Sequence, residues 1–381
     1  MITKSGLDTK NFESNGIGTF KSGLEGTYTA NVPTKLYVLK NDNGTEACIT
    51  NFGARIVSLM VQGKENNFFD VELGFDNISD YADFREKNNV FGAVIGRFAN
   101  RISNGHFEID GKDYQVENTS HDPDCVLHGG AYNWSYQTFS VVDYKVDKAH
   151  TSSYKNMLHL RLISPDGDGG FPGEVTFDVV YILDNDNRLI VNYFAKTTKP
   201  TVFNVTNHSY FCLSGDPSKD CLNEEVYINA DKYTKLKEGV LPTGDILNVE
   251  SNSPMDFTRP KKLGQDIYAD CYDIKMGNGY DHNFVLNSEC RSLDVIAASC
   301  YDPTSKIKMD IYTDRPGIQL YDAVDLDSTI TGKKNIPYGP NCAVCFETQG
   351  FPDAPNYKNF PNCILRPEKP FKSTTIYAFS S

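Results

Sequence analysis

Val175-Thr176-Phe177-Asp178-Val179-Val180-Tyr181-Ile182-Leu183 is followed by Asp184-Asn185-Asp186-Asn187-Arg188 and then by Leu189-Ile190-Val191-Asn192-Tyr193-Phe194-Ala195. Two runs rich in β-branched and aromatic residues, which suit a pleated surface, flank five turn-forming residues. This reads as a β-hairpin. The pattern recurs outward along the chain. Residues 36–39 and 46–49 flank Asn41-Asp42-Asn43-Gly44, and residues 107–109 and 114–116 flank Asp110-Gly111-Lys112-Asp113. Helical windows are scarce, the best being residues 78–87 with Ser79 as N-cap. Residues 215–223 and 235–252 read as irregular, mostly polar loops.

Many short strands at this spacing predict an all-β fold, an antiparallel sandwich or barrel. No repeat or low-complexity linker interrupts residues 36–381, so a single domain over 31–381 is expected. Residues 1–30, rich in Gly, Ser, Thr and Asn, read as an N-terminal extension, partly disordered or laid along the surface.

The 381 residues carry a formal net charge of -13. That disfavours nucleic acid and anionic membranes, both of which call for basic patches. The first residues contain no apolar signal segment, and no stretch reaches the roughly 18 apolar residues of a membrane span. A soluble, cytoplasmic protein with no membrane partner is expected. Ten scattered cysteines fit reduced intracellular thiols. Cys342 and Cys345 form one C-x-x-C with no second pair nearby, which leaves a zinc site without support.

Candidate chemistry begins at Thr206-Asn207-His208-Ser209-Tyr210-Phe211. In an extended run from Pro200, residues Asn204, Thr206, His208 and Tyr210 share one face, and that face is polar throughout. A solvent-facing strand with a satisfied histidine explains the run taken alone. The stretch Cys345-Phe346-Glu347-Thr348-Gln349-Gly350-Phe351-Pro352-Asp353-Ala354-Pro355-Asn356 adds a lone carboxylate near the end of an apolar run. A histidine and a glutamate on neighbouring strand ends make an acid and base pair. Further polar groups follow apolar runs: Arg97, Asn100 and Arg101 in Gly96-Arg97-Phe98-Ala99-Asn100-Arg101-Ile102, and His128 before Gly129-Gly130. Asp281 and His282 lie in Gly279-Tyr280-Asp281-His282-Asn283-Phe284, and Gln319 in Pro316-Gly317-Ile318-Gln319-Leu320-Tyr321. Arg97 can equally be a cation paired at the surface, and His128 a turn histidine bonded to backbone. His106, His121, His150 and His159 show no ligand spacing, and no phosphate loop or metalloprotease motif is present. No metal and no cofactor are implied. The remaining hydrogen-bonding groups are those a sugar site uses.

The segments GRFANRI, LHGG, NHSYF, DHNF, PGIQLY and CFETQGFPDAPN, in this order, resemble the aldose 1-epimerases, or galactose mutarotases, from about residue 51 to 379. The resemblance implies a large antiparallel β sandwich, the galactose mutarotase-like supersandwich, with an open sugar cleft on one sheet. It implies Glu347 as general base, His208 as general acid, and Asn100, Arg101, His128, Asp281 and Gln319 as sugar-binding groups. Cys212 departs from the pattern, standing where many relatives have Asn.

The expected reaction interconverts the α and β anomers of aldohexoses such as galactose and glucose. A carboxylate facing O1 and an imidazolium facing O5 open and reclose the ring, with no cofactor. An unperturbed imidazole titrates near about 6.5, too low for a cytosolic general acid, so a nearby carboxylate is expected to raise His208. A hexose-6-phosphate 1-epimerase, a non-catalytic sugar-binding protein on the same fold, and a glycoside hydrolase using Glu347 with Asp281 are the other readings. The partner is a small-molecule aldose, and the chain is expected to be a monomer or weak homodimer.

Overall fold

The strands Val175–Leu183 and Arg188–Thr197 pair antiparallel, from Leu183 opposite Leu189 to Val175 opposite Thr197. Asp184 shapes the turn: its carboxylate accepts the backbone N–H groups of Asp186 and Arg188. Val175, Phe177, Val179 and Tyr181 are buried while the residues between them are half-buried, the period of two that a sheet with one core face demands. The computed structural model describes residues 1–17, 28–82, 90–117, 124–146 and 156–381.

This hairpin sits inside a nine-stranded sheet, ordered Ser140–Val146, Asn156–Ser164, Val175–Leu183, Arg188–Thr197, Phe371–Ser380, Lys308–Thr313, Ala298–Tyr301, Glu225–Ile228 and Lys261–Lys262. A five-stranded sheet runs Leu241–Asn248, Lys232–Lys237, Asp281–Val285, Gly317–Tyr321 and Cys345–Gln349. One apolar cluster joins the two: Leu160, Phe177, Val191 and Ile311 of the first pack in the same core as Phe284, Ile318, Leu320 and Phe346 of the second. The fold is therefore an all-β sandwich. Because strand side chains alternate, burying Ile318, Leu320 and Phe346 turns Gln319 and Glu347 to the opposite face of the smaller sheet.

Local expectations are refined at three places. Between His106–Ile109 and Lys112–Gln115 the turn is only Asp110-Gly111, both at positive φ (52° and 79°), so Lys112 and Asp113 belong to the strand. Asp-Gly suits this two-residue geometry. Residues 235–252 are not an irregular loop, since they contain most of the hairpin Lys232–Lys237 with Leu241–Asn248. Pro242 and Gly244 disguised the second strand, and both are tolerated because it lies at the sheet edge. The helix Ile78–Ala82 is capped by Asn77, whose Oδ1 accepts the Asp80 N–H, rather than by Ser79. The later part of the expected helix, 83–87, lies outside the described residues.

Residues 36–40 and 46–50 pair as expected and belong to a four-stranded sheet. Of the N-terminal extension, Leu7, Phe12 and Ile17 are buried in a second apolar cluster with Val38 and Tyr81.

Candidate active site

The face of the smaller sheet turned away from the core supplies part of a cleft wall, its residues largely buried. Glu347 lies opposite Gln319 in the strand register, and Gln319 opposite Asn283, with Asp281 two pairs further along opposite Tyr321. Two short pairings supply the adjoining lining. Thr206–His208 pairs with Ala93–Ile95, which places His208 opposite Ala93. Arg101–Ser103 pairs with Cys125–Leu127, Arg101 lying opposite Leu127, so that Asn100 and His128 meet just beyond the ladder. There the His128 N–H donates to the Asn100 carbonyl, and the Asn100 N–H donates to His128 Nδ1, each at 3.1 Å. An Nδ1 that accepts leaves the ring proton on Nε2. Asn100 and His128 both have positive φ (66° and 54°). Gly129 follows at φ 90°, where a Cβ would stand 2.5 Å from the Gly96 carbonyl oxygen.

The cleft, of about 250 Å³, is lined by Asn100, Arg101, His128, His208, Asp281 and Glu347. His208 Nε2 is 3.6 Å from Glu347 Oε1, and both residues are buried. The rings of His128 and His208 meet edge to face at 5.1 Å. Arg101 Nη1 is 3.4 Å from Asp281 Oδ2. Gln319 does not line the cleft. Its Nε2 donates to Asp281 Oδ1 at 2.6 Å, and its Oε1 accepts from Gln349 Nε2 at 3.2 Å, so it holds Asp281 from behind.

Eight lining residues were not among the candidate site residues, and four of them are aromatic or acidic. Tyr210 stacks on His208 at 5.0 Å, and Phe91 packs on Tyr210 at 4.6 Å. Tyr321 and Asp325 also line the cleft, the Tyr321 hydroxyl donating to the Asp325 carboxylate. Tyr210 and Tyr321 each follow a singled-out residue by two, the signal that puts them on its face. Phe91 and Asp325 carry no such signal. Arg97 lies elsewhere: its buried guanidinium donates to the carbonyls of Pro165, Pro172 and Gly173 and to Ser164 Oγ, fastening that loop. His282 is also outside the cleft lining, its Nδ1 accepting the Asp281 N–H.

Burial dominates the electrostatics and reverses one expectation. Desolvation raises Glu347 well above the ordinary carboxylate range; the Asp281 charge adds to this and Arg101 opposes it. Desolvation pushes His208 down to about 3 instead of up. Burial, the neighbouring His208 and Arg101 likewise hold His128 well below the usual imidazole value. Burial disfavours charge on either member of the pair, so between about 3 and the raised Glu347 value the two together hold one proton, on the carboxyl. Glu347 Oε2 is buried and has no hydrogen-bond partner among the described residues. His128, His208 and Glu347 also bring one donor atom each within 4.8 Å of one another, a set that can take a cation.

Comparison with known proteins gives a consistent result. The family described as aldose 1-epimerase matches residues 35–378. A galactose mutarotase from Homo sapiens is 36% identical over 337 residues, covering 87% of this chain and 90% of that protein. An aldose 1-epimerase from Escherichia coli is 31% identical over 349 residues, covering 91% and 95%. The crystal structure of an aldose epimerase homologue from C. elegans superposes with a TM-score of 0.79 at 28% identity, covering 91% of this chain and 99% of that one.

Proposed function

The chain belongs to the aldose 1-epimerase family and is an isomerase of sugar anomers, and from that premise we propose that it acts on unphosphorylated aldohexoses, galactose and glucose among them, with Glu347 as base and His208 as acid. The observation that carries the assignment of roles is the 3.6 Å approach of His208 Nε2 to Glu347 Oε1 in the cleft wall. O1 and O5 of a pyranose are both bonded to C1, so the groups that serve them must lie side by side.

Glu347, as the carboxylate, takes the O1 proton while His208, as imidazolium, gives one to O5. The C1–O5 bond breaks and C1 becomes an aldehyde. Rotation about C1–C2 presents the other carbonyl face. The O5 hydroxyl then adds to C1, returning its proton to His208 as O1 recovers one from Glu347. Each transfer is typically worth about 10²- to 10⁴-fold. Arg101, Asp281, Asn100 and His128 hold the sugar hydroxyls, and Gln319 keeps Asp281 in position.

The charges of the lining favour a neutral substrate. Among the described residues that line the cleft the only Lys or Arg is Arg101, already beside Asp281, whereas Asp281, Asp325 and Glu347 are acidic. A dianionic phosphate on C6 would meet repulsion there. Polarimetry on freshly dissolved α-D-galactose, α-D-glucose and their 6-phosphates tests this. The free sugars should equilibrate faster than in buffer, the phosphates should not, and a chelator should leave the rate unchanged. Preference for the phosphates would refute the substrate assignment, loss of rate with chelator would put a metal on the three donors, and no acceleration of any sugar would leave a binding protein.

A further inference from the structure

A second cleft, of about 470 Å³, opens between residues 361–372 and the region of Phe203, Arg315 and Gly350. It is larger than the sugar cleft and within the size range of small-molecule sites. Its lining includes Phe203, Leu365 and Phe371, the two phenylalanine rings meeting edge to face at 5.0 Å. Against this apolar wall lies Arg315, only 9% exposed, its guanidinium 5.0 Å from the centre of the Phe371 ring. Arg315 Nη2 donates to Asn204 Oδ1 at 2.7 Å, while Nε has no hydrogen-bond partner. No carboxylate among the described residues forms an ion pair with it: the adjacent Asp314 favours its charge from a distance and accepts instead from Ser373 Oγ and the Thr374 N–H. Burying a guanidinium without an anion is costly, and such a group recognises planar or tetrahedral anions well.

Exposed Lys369 and Lys372 also line this cleft. Arg366 is already occupied by both oxygens of Asp110, and Glu368 is the only acid in the lining. Three cations not bound to a carboxylate around an aromatic wall stand out on a chain of net charge -13.

We propose that this cleft is a second ligand site, taking a small organic anion with an aromatic body: a phosphate or carboxylate head on Arg315 and the two lysines, and the ring against Phe203 and Phe371. It is separate from the sugar cleft, with which it shares no lining residue.

The test is calorimetric titration of the full chain with phenyl phosphate and with benzoate, inorganic phosphate and benzyl alcohol serving as probes that lack the ring or the charge. At least one aromatic anion should bind saturably at one equivalent, roughly tenfold tighter than either control. Saturating D-galactose should leave that binding unchanged. Arg315 also fastens Asn204, which accepts the Gly350 N–H, so its removal disturbs the adjoining strand end. The double variant Lys369→Glu/Lys372→Glu alters only the exposed rim, and it should weaken binding roughly tenfold without changing mutarotation. Failure of both anions to bind, displacement by galactose, or full affinity in the rim variant would each overturn the proposal.

Discussion

At the scale of single residues the decisive quantity is the proton count of Glu347 and His208. The resting arrangement, with a neutral carboxyl and neutral imidazole, holds one proton; so does the reacting one, with carboxylate and imidazolium. Interconverting them costs no proton from solvent, so pH does not choose between them. The one-proton state ends on the acid side when His208 takes a second proton, at about 3. It ends on the alkaline side when Glu347 loses its proton, well above the ordinary carboxylate value. The rate kcat/KM should therefore be flat between these two titrations. In His208→Asn the residual activity should rise with pH as Glu347 becomes the carboxylate and should show no alkaline limb. A residual activity that instead falls as pH rises through that range would show that Glu347 does not act as the carboxylate base. The identities of these residues were legible in NHSYF and CFETQG. Their protonation was not, because desolvation depends on what packs around them.

At the scale of elements, hairpins are legible where the turn announces itself, as at Asp184–Arg188 and Asp110-Gly111, and illegible where it does not. Leu241–Asn248 was missed because Pro242 and Gly244 weaken its pattern at a sheet edge. The pairing of Phe371–Ser380 with both Arg188–Thr197 and Lys308–Thr313 leaves no local trace, since partners so far apart in sequence are chosen by the core they jointly bury. The site depends on such pairings: cross-strand register sets Gln319 beside Glu347, and the short ladder at Arg101 brings His128 to Asn100. Gly129 is the position where backbone and site are most tightly joined. At Gly129→Ala the added methyl group would strike the Gly96 carbonyl oxygen at positive φ, a strain of roughly 1 to 3 kcal/mol. Thermal unfolding should show a lower Tm, and kinetics should show a raised KM as His128 shifts. Wild-type values for both would mean that this loop is slack.

At the scale of the whole molecule, the proposed acid–base pair makes stability depend on pH. Folded, the pair holds one proton; unfolded, it holds two below about 4.3, one between about 4.3 and about 6.5, and none above. Its contribution is therefore greatest between those values. It is lost as pH falls, because His208 is held neutral, and lost again as pH rises, because Glu347 is held protonated. Glu347→Gln removes the loss that the raised carboxyl causes. Chemical denaturation should find this variant gaining on the wild type as pH rises above about 4.3, the ordinary glutamate value. A constant difference over that range would argue that Glu347 is ionised in the folded protein. The N-terminal segment also acts at this scale: Phe12 is fully buried, yet Leu7, Phe12 and Ile17 recur every five residues, a spacing that fits neither helix nor strand. The most direct measurement of the proposed chemistry is the mutarotation of α-D-galactose by Glu347→Gln, with galactose binding measured on the same preparation. The amide keeps the shape of the side chain and cannot accept the O1 proton as a base. kcat should fall about 100-fold or more while affinity stays within a few fold. A variant that binds galactose and retains more than about a tenth of the wild-type kcat would show that Glu347 is not the base.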